Sequence, residues 1–128
     1  MTNMYQENII DLYKHPKNKG MLESPTHEYS KNNPLCGDEI SIQLIIEDNK
    51  IKDVKFLGEG CAISIASVSM LTDKIKRMDI EEINNLTKDD ILEMLHIPIS
   101  TARIKCALLS LETVKGALNS PPTKNNLH

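Results

Sequence analysis

Apolar side chains follow a helical repeat at the start of the chain. An amphipathic helix is predicted over residues 3–14, because apolar positions recur there at intervals of three and four. These positions are Tyr5, Ile9, Leu12 and Tyr13. The next segment, residues 14–30, contains Pro16, Gly20 and Pro25 and is predicted to be a loop.

Strict alternation of apolar and polar side chains indicates β structure near the centre of the chain. The apolar positions are Ile40, Ile42, Leu44 and Ile46. Residues 47–50 have the composition of a tight turn, and residues 51–57 are predicted to form a second strand. The pattern therefore predicts an antiparallel hairpin.

Residues typical of helix N-termini divide the second half of the chain into helices. The first helix is predicted over residues 64–77, with Ser64 as its N-cap. Two short helices follow. Asp79 is the expected cap of the first, and Thr87 with Asp90 forms a capping box at the start of the second.

The last predicted helix is capped by Ser100 and ends near Leu118, and residues 119–128 are polar with two prolines. We expect one domain over residues 1–118 and a flexible tail over residues 119–128. Because one helix and the strands are followed by helices alone, the fold class is predicted to be α+β, with helices on one face of a small antiparallel sheet.

Composition excludes several classes of partner. The chain has 128 residues, 15 Lys and Arg against 18 Asp and Glu, and a net charge of −3. This acidic balance, with one Phe, three Tyr and no Trp, argues against binding of nucleic acid. No apolar run approaches the roughly 18 residues of a membrane helix, and the N-terminus does not resemble a signal peptide. We therefore expect no membrane partner and a cytoplasmic location.

The three cysteines are the most informative residues in the composition. An odd number cannot all pair within one chain, and a reducing cytoplasm disfavours disulfides. They are therefore expected to be thiols that serve in packing, in reaction or as metal ligands.

Two of the thiols lie at predicted helices. Cys106 falls almost opposite the apolar stripe of the last helix, on the same face as Arg103, which predicts a thiol on the polar side. The alternative is that another segment covers it. Cys61 precedes a helix, where free N–H groups favour the thiolate. The glycines before it, Gly58 and Gly60, equally suit a simple turn.

The third thiol, Cys36, lies two residues before Asp38, so in extended backbone both side chains point to the same side. Asp38 is either a metal ligand or a turn acceptor. Three thiols and a carboxylate form a donor set that suits zinc or part of an iron–sulfur centre.

Four segments resemble the NifU N-terminal/IscU/SufU family of iron–sulfur cluster assembly proteins. They are residues 5–20 (YQENIIDLYKHPKNKG), 33–38 (NPLCGD), 58–64 (GEGCAIS) with Ala66 and Ser67, and 102–109 (ARIKCALL). The resemblance covers nearly the whole chain. It implies a three-stranded antiparallel sheet with helices on one face, in the order α-β-β-β-α-α-α-α.

The resemblance also implies a site. Its metal ligands are Cys36, Asp38, Cys61 and Cys106, with the three cysteines as candidate persulfide acceptors. Arg103 and Lys105 are expected next to these ligands. The implied partners are a cysteine desulfurase and apo iron–sulfur proteins.

The motifs combine features of two branches of the family. GEGC and RIKC look like the SufU branch, because IscU proteins typically carry His where this chain has Lys105. Yet only 45 positions separate Cys61 from Cys106, which leaves no room for the insertion of many SufU proteins.

Two functions follow from the resemblance. The first is a scaffold that builds a transient [2Fe–2S] cluster and passes it to apo-proteins. The alternative is a Zn²⁺-dependent sulfur acceptor, or sulfurtransferase, that stimulates the desulfurase. A purely structural zinc domain is the third and least favoured hypothesis.

Overall fold

The computed structural model describes residues 4–34 and 37–123. Its elements are helix α1 (Met4–Lys14), strands β1 (His27–Asn33), β2 (Asp38–Glu47) and β3 (Lys50–Glu59), and helices α2 (Ala62–Ile75), α3 (Ile80–Asn84), α4 (Lys88–Leu95) and α5 (Thr101–Leu118). The α+β class and the order of elements are confirmed.

The sheet is antiparallel, with strand order β1-β2-β3. On β2, the side chains of Ile40, Ile42 and Leu44 are fully buried on the face that the helices cover. The turn to β3 has positive φ at both Asp48 (54°) and Asn49 (66°), as in the type I′ turn that joins tightly paired strands. The predicted hairpin is thus confirmed.

Strand β1 corrects the prediction of a loop up to residue 30. Its sequence, HEYSKNN, has no apolar alternation, because five of its seven side chains are exposed at the edge of the sheet. The strand is held by pairing with β2, in a register that places Asn33 opposite Asp38. An edge strand of this kind leaves almost no hydrophobic signal in a sequence.

Helix α2 also begins earlier than predicted. Its N-cap is Cys61 rather than Ser64, and it ends at Ile75. Ser64 is fully buried inside the first turn of the helix. The two short helices do begin as predicted, after Asp79 and after Thr87, whose backbone N–H donates to Asp90 Oδ2 at 2.8 Å.

Helix α5 packs against β1 and β2 on one side and against α2 on another, so it is buried over more than one face. Two hydroxyl-bearing side chains of α5, Ser110 and Thr113, lie inside the protein. Ser110 Oγ lies 2.9 Å from Ser67 Oγ on α2, and Thr113 Oγ1 donates to the Leu109 carbonyl at 2.7 Å. Small hydroxyls satisfied in this way can be buried at little cost.

Residues 119–123, which follow α5, turn back towards the start of β1. The backbone N–H of Thr123 donates to the Thr26 carbonyl at 2.8 Å, and its hydroxyl donates to the Pro25 carbonyl at 2.6 Å. Among residues 4–34 and 37–123, no helix is long and apolar enough to cross a bilayer.

Candidate metal centre

Three separate elements bring a carboxylate and two thiols together at one end of the sheet. Asp38 begins β2, Cys61 caps α2, and Cys106 lies in the second turn of α5. One ligand atom from each of these side chains lies within 4.8 Å of the others. Cys36 lies outside the described residues.

The spacing of these atoms suits a metal ion. A tetrahedral ion with bonds of about 2.0–2.3 Å holds its ligand atoms roughly 4 Å apart, so small side-chain movements would close this set around one ion. Two sulfurs and one carboxylate oxygen are donors that both zinc and iron accept.

Asp38 is held by hydrogen bonds to both oxygens of its carboxylate and is only 1% exposed. The backbone N–H of Cys61 donates to Oδ1 at 3.0 Å, and the Ser64 hydroxyl donates to Oδ2 at 2.7 Å. Both donors belong to the start of α2, so the carboxylate joins β2 to that helix end.

The Cys61 thiol is half-buried at the N-terminus of α2, 3.7 Å from Ser64 Oγ. Burial pushes the pKa of this thiol upwards, and the nearby Asp38 carboxylate acts in the same direction. Hydrogen bonds from the backbone and hydroxyl of Ser64 and from the backbone of Ile63 outweigh both, so the pKa of Cys61 lies below its ordinary value. This is the effect expected of a thiol at a helix N-terminus.

Cys106 corrects the expectation of a thiol on the polar side of the last helix, since it is completely buried. The helical wheel was wrong here because it assumed a single buried face, whereas α5 packs against the sheet and against α2. The carbonyl oxygen of Cys106 lies 3.2 Å from Ser64 Oγ.

Arg103 lies beside the two sulfurs. The charge of Cys61 raises the pKa of this guanidinium most, followed by hydrogen bonding to Cys61 and then to Cys106. Arg103 itself is exposed, so its guanidinium approaches the thiols from the surface of the protein. Lys105, also exposed, lines a shallow cleft with Asn33 and Pro34.

Two residues with a part in this site were missed. Ser64 was interpreted as a helix cap, although its position three residues after Cys61 places it on the same side of the first turn. Gly60 was interpreted only as a turn residue. A Cβ atom at Gly60 would lie 2.5 Å from Asp38 Oδ1, so this glycine leaves the space that the carboxylate occupies.

The sequence of this chain is similar to those of known proteins. The sequence model of the NifU-like N-terminal domain matches residues 4–127. The zinc-dependent sulfurtransferase SufU of Bacillus subtilis is 36% identical over 132 aligned positions, which cover 90% of this chain and 89% of that protein. The iron–sulfur cluster assembly scaffold protein IscU 1 of Archaeoglobus fulgidus is 33% identical over 115 positions, which cover 90% and 74%.

A solved structure agrees with the sequence comparisons. The crystal structure of FiSufU, a scaffold protein for the SUF system from Fervidobacterium islandicum, superimposes with a TM-score of 0.76 at 28% identity. The match covers 93% of this chain and all of that one. Sequence and fold agree over nearly the full length, and the chain belongs to the NifU-like N-terminal domain family.

Proposed function

We propose that this protein is a scaffold for iron–sulfur cluster assembly. It accepts sulfur from a cysteine desulfurase, assembles a [2Fe–2S] cluster on Cys36, Asp38, Cys61 and Cys106, and passes the cluster to apo-proteins. The observation that carries the proposal is the approach of Asp38, Cys61 and Cys106 to within 4.8 Å from three different elements. The names of the IscU and SufU relatives support the same pathway.

Sulfur enters such a site by attack of a thiolate on the outer sulfur of the desulfurase persulfide. A new S–S bond forms, the old one breaks, and the desulfurase cysteine leaves as a thiolate. Of the two described thiols, Cys61 suits this step better, because it is half-buried with a lowered pKa whereas Cys106 is fully buried.

The donor set also suits release of the cluster. A carboxylate is a harder ligand than a thiolate, so Asp38 is expected to hold iron less firmly than a fourth cysteine would. A scaffold has to give its cargo away, and one weaker ligand lowers the cost of doing so.

The second candidate is a zinc-dependent sulfur acceptor of the SufU type. It is favoured by Arg103, which lies beside both thiols and can stabilise a thiolate freed when the desulfurase docks. Zinc at this site would keep the thiols in place without redox chemistry of its own. The similarity to the Bacillus sulfurtransferase supports this candidate.

One anaerobic experiment separates the two candidates. The protein is mixed with its cysteine desulfurase, cysteine, ferrous iron and excess dithiothreitol, a thiol that supplies the electrons for reducing persulfide sulfur to sulfide, and visible absorption and Mössbauer spectra are recorded. A [2Fe–2S] signal that passes to an apo-ferredoxin is the result expected of a scaffold. If zinc instead stays bound at one ion per chain, desulfurase turnover becomes faster and no cluster forms, the scaffold hypothesis is wrong and the protein is a sulfur acceptor.

Substitution of Arg103 tests the second candidate at a single residue. Arg103→Ala is expected to slow sulfur acceptance, because the freed thiolate loses its cation, and Arg103→Lys is expected to restore part of the rate. Transfer of ³⁵S from labelled cysteine measures the rate. Lys76→Ala, an exposed cation after α2, serves as the control. Unchanged sulfur acceptance in Arg103→Ala would contradict this role.

A further inference from the structure

The hydrogen bonds of Ser64 connect three parts of the candidate centre. The hydroxyl lies 2.7 Å from Asp38 Oδ2, 3.2 Å from the carbonyl of Cys106 and 3.7 Å from the sulfur of Cys61. A hydroxyl has one hydrogen to donate. The shorter distance makes the Asp38 carboxylate its principal acceptor.

Both partners of the contact between Ser64 and Asp38 are shielded from solvent. The Ser64 side chain is fully buried, and Asp38 is 1% exposed, so solvent cannot substitute freely for either partner. Hydrogen bonds to a charged group in such surroundings are stronger than those between neutral groups. The contact therefore restricts rotation of the carboxylate.

Gly60 leaves room for the same carboxylate on another side. A Cβ atom there would lie 2.5 Å from Asp38 Oδ1 and 3.0 Å from Asp38 Cγ, so any larger residue displaces the carboxylate. The backbone of Gly60 lies outside the left-handed region, unlike that of Gly37 at φ 73°. An alanine at position 60 therefore meets a steric obstacle only, without backbone strain.

We propose that Ser64 is a positioning residue for Asp38, and that Gly60 provides the space in which the positioned carboxylate points at the two thiols. This inference rests on the proposed function, since it concerns how the proposed metal ligand is held. The hydroxyl of Ser64 fixes Oδ2, the N–H of Cys61 fixes Oδ1, and the carboxylate is thereby oriented before a metal ion arrives. The ion then binds without the cost of ordering this ligand.

The proposal is tested by metal affinity, with Co²⁺ and Zn²⁺ as the probes. The reduced full-length protein is titrated anaerobically with Co²⁺, whose thiolate-to-metal and d–d absorption bands report the ligand set, and Zn²⁺ affinity follows from competition with a chelator. Loss of an outer partner of a metal ligand typically weakens binding about 10–100-fold. We expect a loss of that size in Ser64→Ala, with altered d–d bands.

A double-mutant cycle separates positioning of Asp38 from the other contacts of Ser64. Because Ser64 also approaches Cys61, Ser64→Ala is compared in the parent protein and in Asp38→Ala. Positioning predicts that the effect of Ser64→Ala disappears once Asp38 is absent. An equal loss of affinity in both backgrounds, or no loss in the parent protein, would overturn the proposal.

Ser67→Ala is the matched control. Ser67 is an equally buried serine one turn further along α2, but its hydroxyl donates to the Ala107 carbonyl at 2.8 Å. Its replacement is expected to leave metal affinity unchanged. A loss in Ser67→Ala equal to that in Ser64→Ala would indicate a general packing effect and overturn the proposal.

Circular dichroism shows whether Ser64→Ala folds. If it does not, Gly60→Ala provides a second test of how the Asp38 carboxylate is positioned. It is expected to weaken Zn²⁺ binding in the parent protein and to have little effect in Asp38→Ala, where the colliding carboxylate is gone. Equal losses in both backgrounds would overturn the role of Gly60. A parent protein that binds neither probe would instead refute the proposed function itself, so the two failures are distinguishable.

Discussion

Asp38 has two roles in the candidate site. Its carboxylate is held in place by the protein, and in the proposed function it makes the cluster easier to release. In the protein itself its carboxylate has two hydrogen bonds, both from the start of α2. Towards iron it is the hardest of the four proposed ligands and hence the weakest. The same side chain is therefore held firmly by the protein and is expected to bind the cluster loosely.

We predict that Asp38→Ala still permits cluster assembly but slows transfer of the cluster to an acceptor. Removal of the carboxylate takes away the ligand that makes the cluster easy to release. Circular dichroism in the visible range, recorded during transfer to apo-ferredoxin, measures the rate. Asp89→Ala, which removes an exposed carboxylate in α4, is the control. Equal transfer rates for Asp38→Ala and the parent protein would refute this role.

We predict that Cys61 is alkylated faster than Cys106 in the metal-free protein. Cys61 is half-buried and its pKa is lowered, so more thiolate is present at a given pH, whereas Cys106 is fully shielded. The pH dependence of iodoacetamide labelling, followed by peptide mass spectrometry, should have its midpoint for Cys61 below the value of about 8.5 of free cysteine. A midpoint at or above that value contradicts the lowered pKa.

At the scale of elements, the position of α5 decides which residues reach the site. The helix crosses β1 closely enough that the ring of Tyr29 lies directly over Gly116, where a Cβ atom would overlap it. Glycine lowers helix propensity by about 1 kcal/mol relative to alanine. At this position the close contact between helix and strand offsets that loss.

We therefore predict that Gly116→Ala destabilises the protein, because the new methyl group forces β1 away from α5. In a Tyr29→Ala background the same substitution should instead stabilise by up to about 1 kcal/mol, since only the gain in helix propensity remains. Urea unfolding of the four proteins measures both free-energy changes. Stabilisation by Gly116→Ala in the parent background would show that the helix and strand are not closely packed.

At the scale of the whole molecule, the proposed metal site joins elements that are distant in sequence. Asp38, Cys61 and Cys106 come from β2, the N-terminus of α2 and α5. Such a ligand set exists only in the folded chain, because unfolding separates all three. Metal binding is therefore linked to folding.

We predict that Zn²⁺ raises the free energy of unfolding, by about 2.7 kcal/mol at a free concentration one hundred times Kd. Urea unfolding with Zn²⁺ or with a chelator measures the difference. Cys61→Ala, which removes one of the proposed ligands, should lose most of this stabilisation. An equal shift in Cys61→Ala would assign the stabilisation to another site.

The amino-acid sequence was sufficient for much of the architecture. Alternation in β2, the turn after it and the capping box at Thr87 all form as predicted, because each depends on interactions between near neighbours in the chain. The edge strand β1 was missed because its exposed polar side chains carry no such pattern. The resemblance to the family, which rests largely on three cysteine motifs in order, nevertheless predicted a sheet of three strands.

Only the tertiary structure decided how the site is built. Burial of Cys106 depends on the packing of α5 against both the sheet and α2, and a helical wheel describes neither contact. The bond from Ser64 to Asp38 spans 26 positions, and the space over Gly60 exists only because β2 and the start of α2 are adjacent. The sequence by itself determined which candidate ligands the chain offers and most of the elements that carry them, because motifs and local patterns lie within short segments. Their distances, burial and hydrogen bonds were decided by contacts between segments far apart in the chain.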